Sequence, residues 1–409
     1  MTHLHLIFFT LLTAAVLAVP EAARGEPAVS APILWKSLPH FTHAVGMTNY
    51  AWDGESLCFS NEQQQIRFYP GRRKTDINGT TVWLNATPGG SVLSGDWRLA
   101  STDLDLLLLS VLPREEGASK TLRVMLDPGH GGEDDGASCK SPAVKEKDLT
   151  LQLALQIGAH LTQGGMQVCY TRTNDTTLAL DDRSRLARKA SSDLFISIHA
   201  NYAANADASG VETYVLPPSG YPGTADGSRA RGWQIGNRND YHNTLLGYSL
   251  HRPLATHARA TDRGLKRQSF FVLRETSCPA VLVEFGFLSN PSDVQKMRDA
   301  QWREKCAAAV TDGVLAYSRK VDALDKAVAE KRQRDAEANE RWRLHLAALS
   351  AQKRARPTAA QPTNAPAACA QSTNAAASGA AVVSSSSSTN TAPLDVDTLI
   401  EFYAPGNSD

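Results

Sequence analysis

A chain of 409 residues, 42% of them hydrophobic, has room for two or three domains at roughly 150 residues each, which excludes a peptide hormone or a wholly disordered chain. Its 42 Lys and Arg cancel 42 Asp and Glu, so no global positive field draws it to nucleic acid or to an anionic bilayer. Six cysteines (Cys58, Cys139, Cys169, Cys278, Cys306 and Cys369), none in a C-x-x-C pair, are too few for a disulfide scaffold and form no structural zinc motif.

In chain order, the apolar run Leu6–Val19, followed by Pro20 and the small-residue stretch Ala22–Gly25, reads as a signal peptide over residues 1–25, although His3 and His5 stand where Lys or Arg is usual. Export to the periplasm or cell envelope is expected. No later stretch approaches the roughly 20 apolar residues of a spanning helix, so no membrane span is expected in the mature chain. Residues 33–113 read as a small β-rich accessory domain, a spacer or wall-targeting module. Within it Gln65–Tyr69 and Thr80–Leu84 alternate apolar with polar residues around the turn signal Asn78-Gly79, and Thr102–Leu112 reads as a helix stopped by Pro113.

From 122 to 318 strand and helix patterns alternate. Strands are expected at Arg123–Asp127, Gln167–Thr171, Asp193–Ile198, Val211–Leu216, Ser269–Leu273 and Ala280–Glu284, with helices near 146–163, 181–191 and 301–318. The pattern predicts an α/β domain: a mostly parallel sheet with helices on both faces, binding its ligand at the carboxyl ends of the strands. Residues 319–356 hold eleven Lys/Arg against six Asp/Glu with no Gly, and read as a charged, exposed helix. Residues 357–393 contain no charged residue and read as a disordered low-complexity linker. The tail, 394–409, regains apolar residues over Leu394–Tyr403, a pattern that suits either a plain tail or a docking peptide for a protein activator or wall-localising partner.

Four residues at strand ends or a helix start carry the chemistry: His130, Glu146, His199 and Glu284. His130 stands in Asp127-Pro-Gly-His-Gly-Gly132, where glycines let the backbone turn sharply. His199 ends an apolar strand, where an unpaired imidazole is costly; Glu146 opens a helix; Glu284 is flanked by Val281–Val283 and Phe285–Leu288, so it must be paired, protonated or on a metal. Two His and one Glu are the ligand set of a catalytic zinc with an open position for water, and a second carboxylate can take that water's proton. Each residue alone is weak evidence, because a lone His at a strand end is more often a hydrogen-bonded structural residue.

The motifs Leu126–Gly132, Glu146-Lys-Asp-Leu149, Leu194–Asn201 with Gly210–Tyr214, and Val281–Asn290 resemble, in order, the type 3 zinc-dependent N-acetylmuramoyl-L-alanine amidases. Tyr170-Thr-Arg172, Leu180 with Arg183, Asp262–Lys266 and Phe271–Arg274 agree with it. The resemblance implies one zinc per catalytic domain on His130, Glu146 and His199, with Glu284 as the catalytic glutamate. It implies hydrolysis of the peptidoglycan amide between N-acetylmuramic acid and L-alanine. Arg263 and Lys266 are candidates for stem-peptide carboxylates, and Asn201 is a further candidate for substrate binding. Asp135 departs from the family's usual Pro and is expected to loosen the loop behind His130. The rival readings are a zinc peptidase on another stem-peptide bond and a non-catalytic wall-binding protein.

Overall fold

Strands that meet helices on both faces read as unbroken apolar runs, and β8 (Arg123–Pro128), β12 (Leu194–Asn201) and β15 (Ala280–Phe287) are of this kind. The structure, a computed structural model, describes residues 35–37, 47, 49–90, 97–107, 117–140, 142–224 and 232–355. The expected signal peptide, the 357–393 linker, the tail, and Leu108–Leu112 of the expected first helix lie outside these residues.

Alternate residues of those strands feed two cores. Val124, Leu126, Ile196, Ile198, Val281 and Val283 pack beneath α2 (Glu146–Gln163), α4 (Asp240–His257) and α7 (Ala300–Ala355). Met125, Phe195 and Leu282 point the other way, onto α3 (Leu180–Lys189) and α5 (Phe271–Glu275). The sheet therefore has helices on both faces, as the strand–helix alternation predicts.

Its strand order begins β11 (Gln167–Tyr170), β8, β12, β15, β13 (Val211–Val215), β14 (Asp262–Arg267). The first four are mutually parallel; β13 runs antiparallel to β15, and β14 runs with β13. The sheet then continues through β6 (Thr80–Trp83), β5 (Lys74–Ile77), β4 (Gln65–Phe68), β3 (Leu57–Ser60) and β2 (Asn49–Trp52), an antiparallel meander. Leu265 pairs with Val82, so one sheet crosses the boundary placed at 113–122. The Asn78-Gly79 turn takes positive φ at both residues, 52° and 78°, as a tight hairpin requires. Two short strands, β1 (Trp35–Ser37) and β7 (Arg98–Ala100), pair apart from this sheet, and α1 (Ser101–Leu106) follows them.

Two elements differ from expectation. Ser269–Leu273, expected as a strand, instead leads into the short helix α5, and the strand lies earlier, at β14. Asp262-Arg-Gly-Leu-Lys-Arg267 hides its strand character because its buried charges are satisfied only by partners distant in sequence. The helices expected at 301–318 and 319–356 are one unbroken helix, α7. Nothing between them breaks it, and Val321, Leu324, Ala327 and Val328 stay buried, so packing continues beyond 318. The five cysteines among the described residues are free.

Candidate metal centre and its neighbours

The peptide after β8 turns sharply, placing His130 at a φ of 61°, rare for a residue with a side chain. The turn is stapled by buried arginines. Arg172 donates from Nε to the Pro128 carbonyl (3.0 Å) and from Nη2 to that of Gly129 (2.8 Å); Arg183 donates to the carbonyls of Pro128 (2.8 Å) and His130 (2.9 Å). Asp127, wholly buried, holds Arg183 and accepts from Thr171 and Ser197, each at 2.7 Å. Asp134 Oδ2 lies 2.8 Å from His130 Nδ1, fixing the ring so that Nε2 faces Glu146. Asp135 does not loosen this loop: it pairs with Lys145 and Lys147, both at 2.9 Å, and Lys147 also donates to the Gly132 carbonyl.

Glu146 is the first residue of α2, which follows the hairpin of β9 (Ser138–Lys140) and β10 (Ala143–Lys145). Its carboxylate accepts from the backbone N–H of Ala137 (2.8 Å) and Ala200 (3.0 Å), and lies 3.1 Å from His130 Nε2 and 2.9 Å from His199 Nδ1. Burial opposes its charge, but hydrogen bonds from the two imidazoles outweigh that and hold the carboxyl below the usual carboxylate range. The rings of His130 and His199 meet edge to face with centroids 5.0 Å apart. Space is tight: a Cβ at Gly129 would overlap the His199 ring, and one at Gly136 would come within 2.7 Å of both Glu146 and His130. One donor atom each from His130, Glu146 and His199 lies within 4.8 Å of the others, so the three could hold a metal ion together.

Glu284 stands beside them on β15, in register with His199 across the strand pair. It is buried, and its Oε2 has no hydrogen-bond partner in the structure. Burial, with the charges of Glu146 and Glu212 adding, pushes its carboxyl well above the usual range. In its ionised form such a carboxylate is a stronger base than an exposed one.

The three substrate-binding candidates converge on a residue that the sequence reading did not single out. Glu212 pairs with Glu284 across β13 and β15. Its Oε1 accepts from Lys266 Nζ (2.5 Å) and Arg263 Nε (2.6 Å), and its Oε2 from Asn201 Nδ2 (3.0 Å) and Tyr214 OH (2.6 Å). Burial disfavours its charge, yet Lys266 foremost, with Tyr214 and Arg263, holds it ionised. A Glu inside an otherwise apolar strand, Val211-Glu-Thr-Tyr-Val215, was the available signal. From β13 into α4 the chain runs through a segment, Ser219 to Tyr241, that holds five glycines and of which residues 225–231 lie outside those described. Its described portion meets the N-terminal module: Arg73 donates to the Gly223 carbonyl (2.9 Å), and Tyr221 OH lies 3.0 Å from Thr102 Oγ1.

Comparison with known proteins places this arrangement. The profile of the N-acetylmuramoyl-L-alanine amidase family matches residues 124–316. N-acetylmuramoyl-L-alanine amidase AmiA of Salmonella typhimurium is 30% identical over 229 residues, covering 50% of this chain and 79% of that protein. N-acetylmuramoyl-L-alanine amidase LytC of Bacillus subtilis is 32% identical over 196 residues, 48% of this chain and 35% of LytC. Among solved structures, an N-acetylmuramoyl-L-alanine amidase from Clostridium difficile 630 is 34% identical, covers 49% of this chain and 97% of that one, and superposes with a TM-score of 0.41. The chain spans 35% to 57% of the length of the first curated relatives it matches. The profile match takes in all four residues of the centre, and with AmiA matched over 79% of its length the chain belongs to the N-acetylmuramoyl-L-alanine amidase family.

Proposed function

We propose that the protein is an exported peptidoglycan hydrolase that cleaves the amide between the lactyl group of N-acetylmuramic acid and the L-alanine of the stem peptide. The observation that carries this reading is the convergence of His130, Glu146 and His199 beside the unpartnered carboxylate of Glu284. Two imidazoles and one carboxylate suit zinc, which favours nitrogen and oxygen donors and leaves a position open in catalytic sites. Zinc held there supplies Lewis acidity toward the scissile carbonyl and eases the ionisation of water. Asp134 keeps the His130 ring oriented, while Arg172, Arg183 and Asp127 keep its loop from moving. Glu284 takes the proton of the attacking water at its free oxygen. As the carbon–nitrogen bond breaks, it returns that proton to the departing amine of L-alanine.

Export rests on the Leu6–Val19 run, and no helix among the described residues is long and apolar enough to cross a membrane. The region we assign to a wall-localising or activating protein partner is C-terminal, where α7 exposes Trp342, Leu346 and Leu349. The test is mass spectrometry of purified peptidoglycan after incubation with the zinc-loaded protein. Whole stem peptides with a free L-alanine amino terminus are expected. Shortened peptides from an intact glycan–peptide linkage would make it a peptidase of another bond, and unchanged peptidoglycan a non-catalytic binder.

A further inference from the structure

We propose that Arg263 reads a carboxylate of the substrate's stem peptide, with Glu212 as its positioning residue and Lys266 as an internal counter-charge that does not touch substrate. The inference rests on the amidase reading above and assigns the substrate chemistry of the same site.

The geometry separates the two cations. Lys266 keeps 10% of its side-chain surface, and its Nζ is committed to Glu212 at 2.5 Å. Its charge also reaches Glu284. Arg263 keeps 34% of its side-chain surface and engages Glu212 through Nε alone, at 2.6 Å. That leaves its Nη1 and Nη2 as the fork that guanidinium groups use to hold a carboxylate with two parallel hydrogen bonds. Glu212 cannot itself take a ligand, because each of its oxygens already accepts two donors. Two cations share that single carboxylate, and Arg263 is the more exposed of the two.

Arg263 is also fixed in place. Its guanidinium sits 4.8 Å from the centroid of the Phe287 ring. The strand bearing it is bound from the far side by the N-terminal module, where Thr81 N donates to Asp262 Oδ2 (2.8 Å) and Trp83 Nε1 to the Arg263 carbonyl (3.4 Å). Glu212 lies opposite Glu284 in the strand register, so the fork it positions stands next to the carboxylate assigned to the reaction.

The test uses the full-length, zinc-loaded protein and two muropeptides that differ only at the residue after L-alanine, whose carboxylate is free in one and amidated in the other. The wild type is expected to favour the free acid by roughly tenfold to a hundredfold, the value of a charge-assisted pair, and to do so in KM. In Arg263→Gln that ratio falls close to one. Arg263→Lys restores little of it, since a single ammonium cannot hold Glu212 and the substrate in the same geometry. A wild type without preference, or an Arg263→Gln variant that keeps it, overturns the proposal. Failure of the wild type to release L-alanine-terminated peptide from either substrate overturns the amidase reading and this inference with it.

Discussion

Strands β12 and β13 flank β15 on its two sides, and the buried carboxylates gathered there are treated differently. On the β12 side, Glu146 is held by two backbone N–H groups and two imidazoles, donors that can be given up to a cation without stranding a fixed charge. On the β13 side, Glu212 is held by a lysine and an arginine, fixed charges that stay behind if it goes. The first arrangement suits a site whose occupant is supplied from outside, the second a permanent structural joint. Between them Glu284 has neither and keeps an oxygen unpartnered. A buried carboxylate's role follows from what satisfies it more than from its depth.

The sharpest way to break this comparison is to neutralise Glu212. Glu212→Gln leaves Lys266 and Arg263 without their counter-charge and should cost about 3–5 kcal/mol in chemical denaturation, with metal content unchanged. A loss of metal without a loss of stability would put Glu212 in the same class as Glu146.

A smaller, pH-dependent effect is expected at Asp103, a third buried carboxylate. It accepts from the backbone N–H of Asn85 (2.7 Å) and Ala86 (3.1 Å). Burial pushes its carboxyl up to about 6, although those hydrogen bonds and the charges of Arg267 and Arg73 pull it down. A carboxyl raised on folding binds its proton more tightly in the native state, so its contribution to stability falls as pH rises from about 4 to about 6. Asp103→Asn removes that slope. Relative to wild type the variant should gain about 2 kcal/mol between pH 4 and pH 7, beyond any constant offset, in paired denaturation curves. A pH-independent difference would show that folding does not raise the Asp103 carboxyl.

The smallest effect on stability is expected at His199. His199→Ala should strip the metal while costing the metal-free protein about 1–2 kcal/mol, because Glu146 keeps its two backbone donors and His130. Metal analysis beside circular dichroism checks this, and zinc retained in full would remove His199 from the ligand set.

How far this could be read from sequence depended on the range of the interactions. His130, His199 and Glu284 announce themselves because a titratable residue interrupts or ends an apolar run, and the parallel strands because they are apolar on both faces. β14 was invisible for the opposite reason: Arg263 and Lys266 look like surface charges until Glu212, about fifty positions away, comes alongside. The same holds for Arg172 and Arg183. They matched the family pattern, but only the folded loop shows them holding the carbonyls behind His130. The continuity of α7 past 318 was hidden because charge dominates the composition there, while a sparse apolar stripe keeps packing through Val328.

The proposed division of labour between Glu146 and Glu284 is tested most directly by one paired measurement: zinc affinity and turnover of Glu146→Gln and Glu284→Gln, side by side. Glu146→Gln should weaken zinc binding, because a neutral amide oxygen is a poorer donor to a divalent cation than a carboxylate. Glu284→Gln should bind zinc as the wild type does and lose turnover by on the order of 10²–10⁴, since an amide cannot accept the water's proton. A Glu284→Gln protein that sheds its zinc, or one that still turns over at near the wild-type rate, would contradict the account.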